Sequence, residues 1–287
     1  MIVSAVSVLF DGFAYGMLLF LLSVGLSVTL GMMNFVNLAH CTFAMIGGYV
    51  TVTLMNHVGW PFLATLPIAF IGAAAISVVF ERTMFHRLYR ASELDQCLLT
   101  IGVVFVSIAA TAYIFSTSQQ PVSLPNYLRG SINVGPMTFG VYRIFLIVFA
   151  LIVSAALIGA LEFTRFGAQI RAAVDNQRMA RGLGINVDGA FAIAFALGSG
   201  LAGLGGALAI DVVGLDPSFA LVYLVYVLIV VAVGGLGSIG GTFVAAMLLG
   251  ISDMAGKYYF PAIGSFLIYL VMISLLMWRP SGIFGRR

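Results

Sequence analysis

Three stretches of this 287-residue chain hold residue types able to do chemistry. The first, Gly31 to Phe43, reads G-M-M-N-F-V-N-L-A-H-C-T-F and sets Asn34, Asn37 and His40 three residues apart in an otherwise apolar run. That spacing predicts one polar face at the start of a short helix. The amide and imidazole tips would either hydrogen-bond a broken helix to its neighbours or line a path for a polar solute beside free backbone amides. The second stretch, Glu162 to Asp188, is the longest hydrophilic one. It holds four of the thirteen basic and three of the ten acidic residues of a chain that is 8% charged. Within it Arg171, Asp175 and Arg178 stand at i, i+4 and i+7, a charge-paired stripe on a helix between Ala168 and Leu183. The third, Gly234 to Gly241, reads G-G-L-G-S-I-G-G, and Gly234, Gly235, Gly237, Gly240 and Gly241 would break a helix there. Its plan of apolar helix, turn and small-residue helix hints at a duplication of the first stretch.

Enzyme chemistry finds little to work with. The chain has no H-E-x-x-H, no G-x-S-x-G and no carboxylate pair within one apolar run. Gly250 to Lys257 resembles a phosphate loop, but five residues separate its glycines where four are required, and Tyr258 replaces the Ser or Thr. Cys41 and Cys97 lie at or inside apolar blocks, without metal or disulfide spacing, and read as packing thiols. No metal or cofactor is expected on this chain, and any ATP-driven step must draw on another subunit. A carrier driven by ions would place ionisable groups near mid-membrane. Here Asp11, Glu81, Glu162, Asp211, Asp216 and Asp253 fall near the ends of the apolar runs, and His40 is the main exception.

The elements that must position these residues are membrane helices. The chain is 62% apolar, and Gly12 to Phe80 contains no Asp, Glu, Lys or Arg. As helix that run is roughly 100 Å long, about three hydrocarbon thicknesses. It lacks the alternation that barrel strands need, so an all-α polytopic membrane protein with about eight or nine hydrophobic segments follows. Spans are expected near 8–30, 35–55, 61–80, 96–116, 140–161, 187–210 and 262–278. The runs 219–233 and 241–255 are short enough to cross or to re-enter. Met1 to Phe10 has no basic residue and Asp11 precedes the apolar run, so the start reads as the lead into a first span rather than a cleaved leader.

Loops 81–95, 162–188 and the tail 279–287 hold ten of the basic residues, while Arg129, Arg143 and Lys257 lie on the other side. The positive-inside rule then puts the first group in the cytoplasm, the N-terminus outside and the C-terminus inside. It also accounts for the net charge of +3 without nucleic acid. Small residues four apart, at Ser23, Ser27 and Gly31, at Gly198, Ala202 and Gly206, and at Gly237, Gly241 and Ala245, predict close helix packing or a polar path beside it. Opposite the charged stripe, Phe166, Ile170, Ala173 and Val174 lie on another face. Lying on lipid is one reading, but its small residues make a poor lipid anchor, and docking into a groove on a cytoplasmic partner fits better.

Four ordered blocks carry a family resemblance across essentially the whole chain. R-A-A-V-D-N-Q-R-M-A-R-G-L-G-I-N resembles the cytoplasmic coupling segment of permeases in branched-chain amino acid ABC importers. N-L-A-H with M-I-G-G-Y, G-G-L-G-S-I-G-G and R-P-S-G-I-F-G resemble other blocks of that family, and the chain is similar to its shorter, H-type permease. Cys41 departs from the pattern, where the family commonly has Gly after the His. The resemblance implies a single permease domain over 1–287 in a bacterial inner membrane, with coupling segment 162–188. It implies as partners a second related permease, two ATP-binding cassette ATPase subunits that hold ATP and Mg, and a periplasmic solute-binding protein. Arg171, Ala172, Asp175, Arg178, Met179, Gly182 and Gly184 would then touch an ATPase subunit. Cargo would be a branched-chain or related amino acid, within a family range that extends to urea, amides and aromatic or organic acids. A stand-alone channel or secondary carrier is the alternative from another class, and an intramembrane enzyme a third.

Overall fold

The computed structural model describes residues 2–33, 35–89, 91–122, 124–135 and 137–285. Lipid offers no hydrogen-bond partner to a backbone, and the described chain is mostly helical. Helix α1 (Ile2–Met33) is followed by α2 (His40–Thr53), which runs on through a π turn at Leu54–Val58. Helix α3 (Phe62–Phe80) likewise passes through a π turn, Glu81–Phe85, into the short α4 (His86–Leu88). Next come α5 (Glu93–Phe115), strands β1 (Ser131–Val134) and β2 (Met137–Gly140), and α6 (Val141–Phe163). The surface helices α7 (Arg165–Asp175) and α8 (Gln177–Gly182) precede α9 (Val187–Val213), α10 (Phe219–Gly234), α11 (Ile239–Tyr259) and α12 (Gly264–Trp278). Among the described residues six helices are long and apolar enough to cross a membrane, while α10 and α12 are apolar but shorter.

Helices lie along the expected spans, with three differences. Helix in the 35–55 run begins only at His40. Most of the expected 81–95 loop is a helical extension of α3, stopped short of α5 by Ser92, whose Oγ caps that helix by accepting from Asp95 N at 3.2 Å. The run read as 241–255 extends to the 21 residues of α11. The loop near 119–142 is not wholly irregular. Ser131 pairs with Gly140 and Val134 with Met137 in an antiparallel hairpin, turned at Gly135 with φ of 60°. Phe139 of that hairpin meets Phe10 edge-on at 4.8 Å between ring centres.

Helices α1 and α9 are apolar all round and almost wholly enclosed, as such helices must be. Helices α3, α5 and α6 form the outer shell and leave most of their apolar surface exposed. The centre is close-packed because glycines let backbones touch. A Cβ at Gly198 would stand 2.8 Å from the Gly25 carbonyl oxygen, and one at Gly205 3.0 Å from Leu22 Cδ2. Leu22 precedes Gly25 while Gly205 follows Gly198, so α1 and α9 run antiparallel. Two of the small-residue stripes face each other: Gly31 meets Gly237, and Thr242 Oγ1 donates to Ser27 Oγ at 2.9 Å.

The helices pack in a matching order in the two halves. Helix α2 packs on α9 and α10 on α1, while α3 packs on α9 and α11 on α1. The separation from His40 to Phe219 equals that from Phe80 to Tyr259, so α1–α2–α3 corresponds to α9–α10–α11. In this order of packing the break at 35–39 corresponds to 214–218, whereas the pattern of residues likened it to Gly234–Gly241.

Gly198→Val is expected to force the two central helices apart at a cost of about 3 kcal/mol or more. Gly102→Ala, whose Cβ meets nothing within 4 Å, should be tolerated. Size-exclusion chromatography in mild detergent should show loss of the monodisperse species for the first variant and its retention for the second.

Candidate functional site

The break after α1 is held together by α5. Gln96 Oε1 accepts from Val36 N at 3.0 Å and Thr100 Oγ1 from Leu38 N at 3.3 Å, while Gln96 Nε2 donates to Leu88 O at 3.1 Å. A membrane interior could not otherwise satisfy these amides. Asn37 Oδ1 accepts from Ala39 N at 3.1 Å, a local bond that competes with helix and delays its start. The expected single helical face is therefore not formed. Asn37 lies in irregular chain, His40 opens α2, and Asn34 lies outside the described residues.

His40 is fully enclosed, and its Nε2 lies 3.0 Å from Leu22 O. A carbonyl only accepts, so Nε2 carries the proton and Nδ1 is the bare nitrogen, without a partner. Leu22 lies eleven residues before the end of α1, about 16 Å along it. The segment 35–39 thus folds back beside α1, and α2 begins deep in the bundle. Asn37 Nδ2, Thr42 Oγ1, Ser23 Oγ and Ser199 Oγ are also buried without partners. The cavities at the two ends of the bundle are bordered by other residues.

The hydrophilic stretch forms two helices rather than one. Asn176 breaks it, with an extended backbone (φ −153°) and a side chain that caps α8 by accepting from Met179 N at 3.0 Å. Arg171 therefore lies on α7 and Arg178 on α8, and the expected i, i+4, i+7 stripe is divided; the Asp175 side chain lies outside the described residues. Arg171 Nη1 donates to Leu161 O near the C-terminal end of α6, where a cation suits the helix dipole. The ion pair that does form is Arg181 Nη2 to Asp188 Oδ1 at 2.8 Å. Ile170, Ala173 and Ala180 are buried and anchor the pair of helices, and Ala172 is half-buried. Arg178, Met179, Gly182, Leu183 and Gly184 are exposed, Met179 at 65% and Leu183 at 78%. Gly184 ends α8 with φ of 81°; its N–H donates to Arg181 O and that of Ile185 to Ala180 O, as expected of a glycine in this place.

The Gly-rich break has a partner that the sequence alone does not suggest. Gly235 (φ 98°) and Gly237 (φ 77°) turn the chain between α10 and α11, while Gly234 and Gly241 meet across the turn and Gly240 meets nothing. The C-terminal R-P-S-G-I-F-G block lies against this turn. Ile283 N donates to Val233 O at 2.7 Å and Phe284 N to Gly234 O at 3.2 Å, capping the end of α10. A cavity of about 500 Å³ joins this break, Phe284, the end of α1 at Val28 and Gly31, and Ile170 and Arg171 of α7. A second, of about 470 Å³, joins His86, Arg87 and Tyr89 to Gln177, Arg181 and Asp188. There Tyr89 OH donates to Glu81 Oε1 at 2.8 Å, and burial and the Glu81 carboxylate hold the phenol well above its ordinary range.

The end of the bundle that carries α7 thus gathers the described cations of all three basic segments. Arg129, Arg143 and Lys257 border cavities at the opposite end. Reading residues one stretch at a time missed Gln96 and Thr100. Their signal was present: two polar residues one helical turn apart at the start of an apolar span.

Comparison with known proteins points one way. A family profile described as the permease component of the branched-chain amino acid transport system matches residues 8–276. The high-affinity branched-chain amino acid transport system permease protein LivH of Escherichia coli K12 is 25% identical over 294 residues, spanning 97% of this chain and 94% of that protein. BraD of Pseudomonas aeruginosa, a permease protein described in the same terms, is 26% identical over 97% of this chain and 95% of its own length. A probable LivH of Methanocaldococcus jannaschii is 27% identical over 94% of this chain and 90% of its own. No solved structure matches.

Gln96→Leu leaves the Val36 amide without an acceptor and is expected to cost about 2 kcal/mol. Thermal unfolding in detergent should fall by several degrees for this variant and less for Thr100→Ser, which keeps the hydroxyl.

Proposed function

We propose that this chain, which belongs to the family of permease components of branched-chain amino acid transport systems, is the membrane subunit of an ATP-driven importer of branched-chain or related amino acids. The observation that carries the reading is the family match over residues 8–276. The chain would sit in the inner membrane with its N-terminus outside and its C-terminus in the cytoplasm, as the ten-to-three distribution of basic residues supports. Nine helical passes fit that sidedness: α1, α2, α3, α5, α6, α9, α10, α11 and α12. ATP and Mg belong on two ATPase subunits, a second permease completes the membrane unit, and a solute-binding protein delivers cargo from outside.

In this scheme the single permease domain is moved through residues 162–188. Met179 and Leu183 stand exposed beside Arg178, an apolar pair with a cationic edge suited to a groove on an ATPase subunit. Ala173 and Ala180 tie that surface to the bundle, and the 500 Å³ cavity lets α7 tilt against α1 and the Gly234–Gly241 turn. Asn37 and His40 stand where α2 begins, and their unpaired Nδ2 and Nδ1 support a place beside the solute path in another state of the importer.

Uptake should require ATP hydrolysis, and the chain purified in mild detergent should bring down ATPase subunits. Solute flux in liposomes by this chain alone would instead favour the stand-alone channel or carrier. Arg178→Glu with Met179→Asp is expected to lower ATPase co-purification and uptake about tenfold, with melting unchanged because both residues are exposed. Arg171→Glu should behave differently, lowering the melting temperature by removing the donor from Leu161 O.

A further inference from the structure

At the end of the bundle opposite α7, a cavity of about 180 Å³ opens between α1, α6, α9, α10 and α11. Its charged border is two anions and two cations: Asp11, Asp253, Arg143 and Lys257. Arg143 pairs with Asp11, and Lys257 Nζ donates to Asp253 Oδ2 at 2.6 Å. One atom is left over. Asp253 is 0% exposed, yet its Oδ1 accepts no hydrogen bond. A Lys–Asp pair one turn apart that served only to support α11 would keep its carboxylate in water, where it costs little. A carboxylate oxygen enclosed beside a cavity calls for a donor, best a cation.

The rest of the border is aromatic and aliphatic. Tyr223 and Tyr226 of α10 lie 5.7 Å apart between ring centres, and Lys257 Nζ sits 5.6 Å above the Tyr15 ring. Leu146 and Val212 complete an apolar wall. An adjoining cavity of about 360 Å³, bordered by Leu124, Arg129 and Asp211, shares Arg143 and Val212 with the first.

We propose that the smaller cavity binds a zwitterionic α-amino acid with an apolar side chain. The ammonium group donates to Asp253 Oδ1, and the carboxylate takes the N–H donors that Lys257 and Arg143 have to spare. The side chain lies against Tyr15, Tyr223 and Tyr226. Two anions and two cations match a ligand with no net charge but both signs. The inference rests on the amino-acid import reading and deepens it, because it puts a cargo site on this chain at the end opposite α7.

Lys257 is the chain's single lysine and its side chain is 47% exposed, so its acetylation reports on the cavity in the unmodified protein. The importer is reconstituted in liposomes without its binding protein and treated with an amine-acetylating reagent in large excess over every added amine, so that leucine and isopentylamine do not deplete it, and Lys257 modification is followed by mass spectrometry. L-Leucine at about ten times its half-saturating concentration should slow acetylation roughly tenfold, since only the empty site reacts. Isopentylamine and 4-methyl-2-oxopentanoate, each carrying one charge of the zwitterion, should protect far less. In Asp253→Asn, leucine protection should be lost while the ATPase subunits still co-purify. Equal acetylation with and without leucine, or equal protection by either half-molecule, overturns the site. ATP-driven leucine uptake without protection, the uptake measured in the same liposomes once the binding protein has been added back, overturns this site alone. Protection without ATP-driven uptake upholds the site and overturns the importer reading, and neither response overturns both.

Discussion

Every break in a membrane helix releases backbone groups that lipid cannot satisfy, and the architecture of this protein is set by where those groups find partners. After α1 they find the side chains of Gln96 and Thr100; after α10 they find the backbone of the C-terminal tail. The solutions differ in kind. Side-chain partners on α5 clamp an irregular segment inside the bundle, whereas the tail caps a helix end from outside it. The cost of leaving either set unpaired exceeds what apolar packing at one contact could return, so each break and its partner form one structural unit.

The second organising fact is the antiparallel pair at the centre. Helices α1 and α9 touch through Gly25 and Gly198, and each carries the second and third helices of the opposite half. The halves are thereby interleaved rather than side by side, which leaves little room for either to move alone. Helix α7, the end of α1, the turn after α10 and Phe284 border one cavity. The same arrangement gathers the described arginines of three separate segments at one end and sets the mixed-charge cavities at the other.

Much of this was legible from residues alone. The long charge-free run implied helices, the basic residues separated the two ends, and four ordered blocks announced the family. Failures came where one residue's side chain changed the local geometry. Asn37 and Asn176 each bond to a nearby backbone amide, so a helical spacing count runs straight through two positions where helix is interrupted. Arg171 looked like part of an outward stripe because its acceptor, Leu161 O, is a backbone atom that no side-chain pattern displays. The small-residue stripes were visible, but which of them meet depends on the antiparallel crossing, a long-range fact. The same limit hid the pairing of the Gly-rich turn with R-P-S-G-I-F-G, two motifs read as independent although each completes the other.

That pairing constrains how the protein is made. Synthesis runs from the N-terminus, so Val233 and Gly234 leave the ribosome well before their donors Ile283 and Phe284. Until they emerge, the carbonyls of Val233 and Gly234 have no tail amides to receive them. The turn between α10 and α11, and with it the seat of Gly31 against Gly237, can reach its final form only once those two residues have followed. Insertion of α10 and completion of the turn that follows it are thus separate events, and a chain lacking Ile283 and Phe284 would carry out the first without the second.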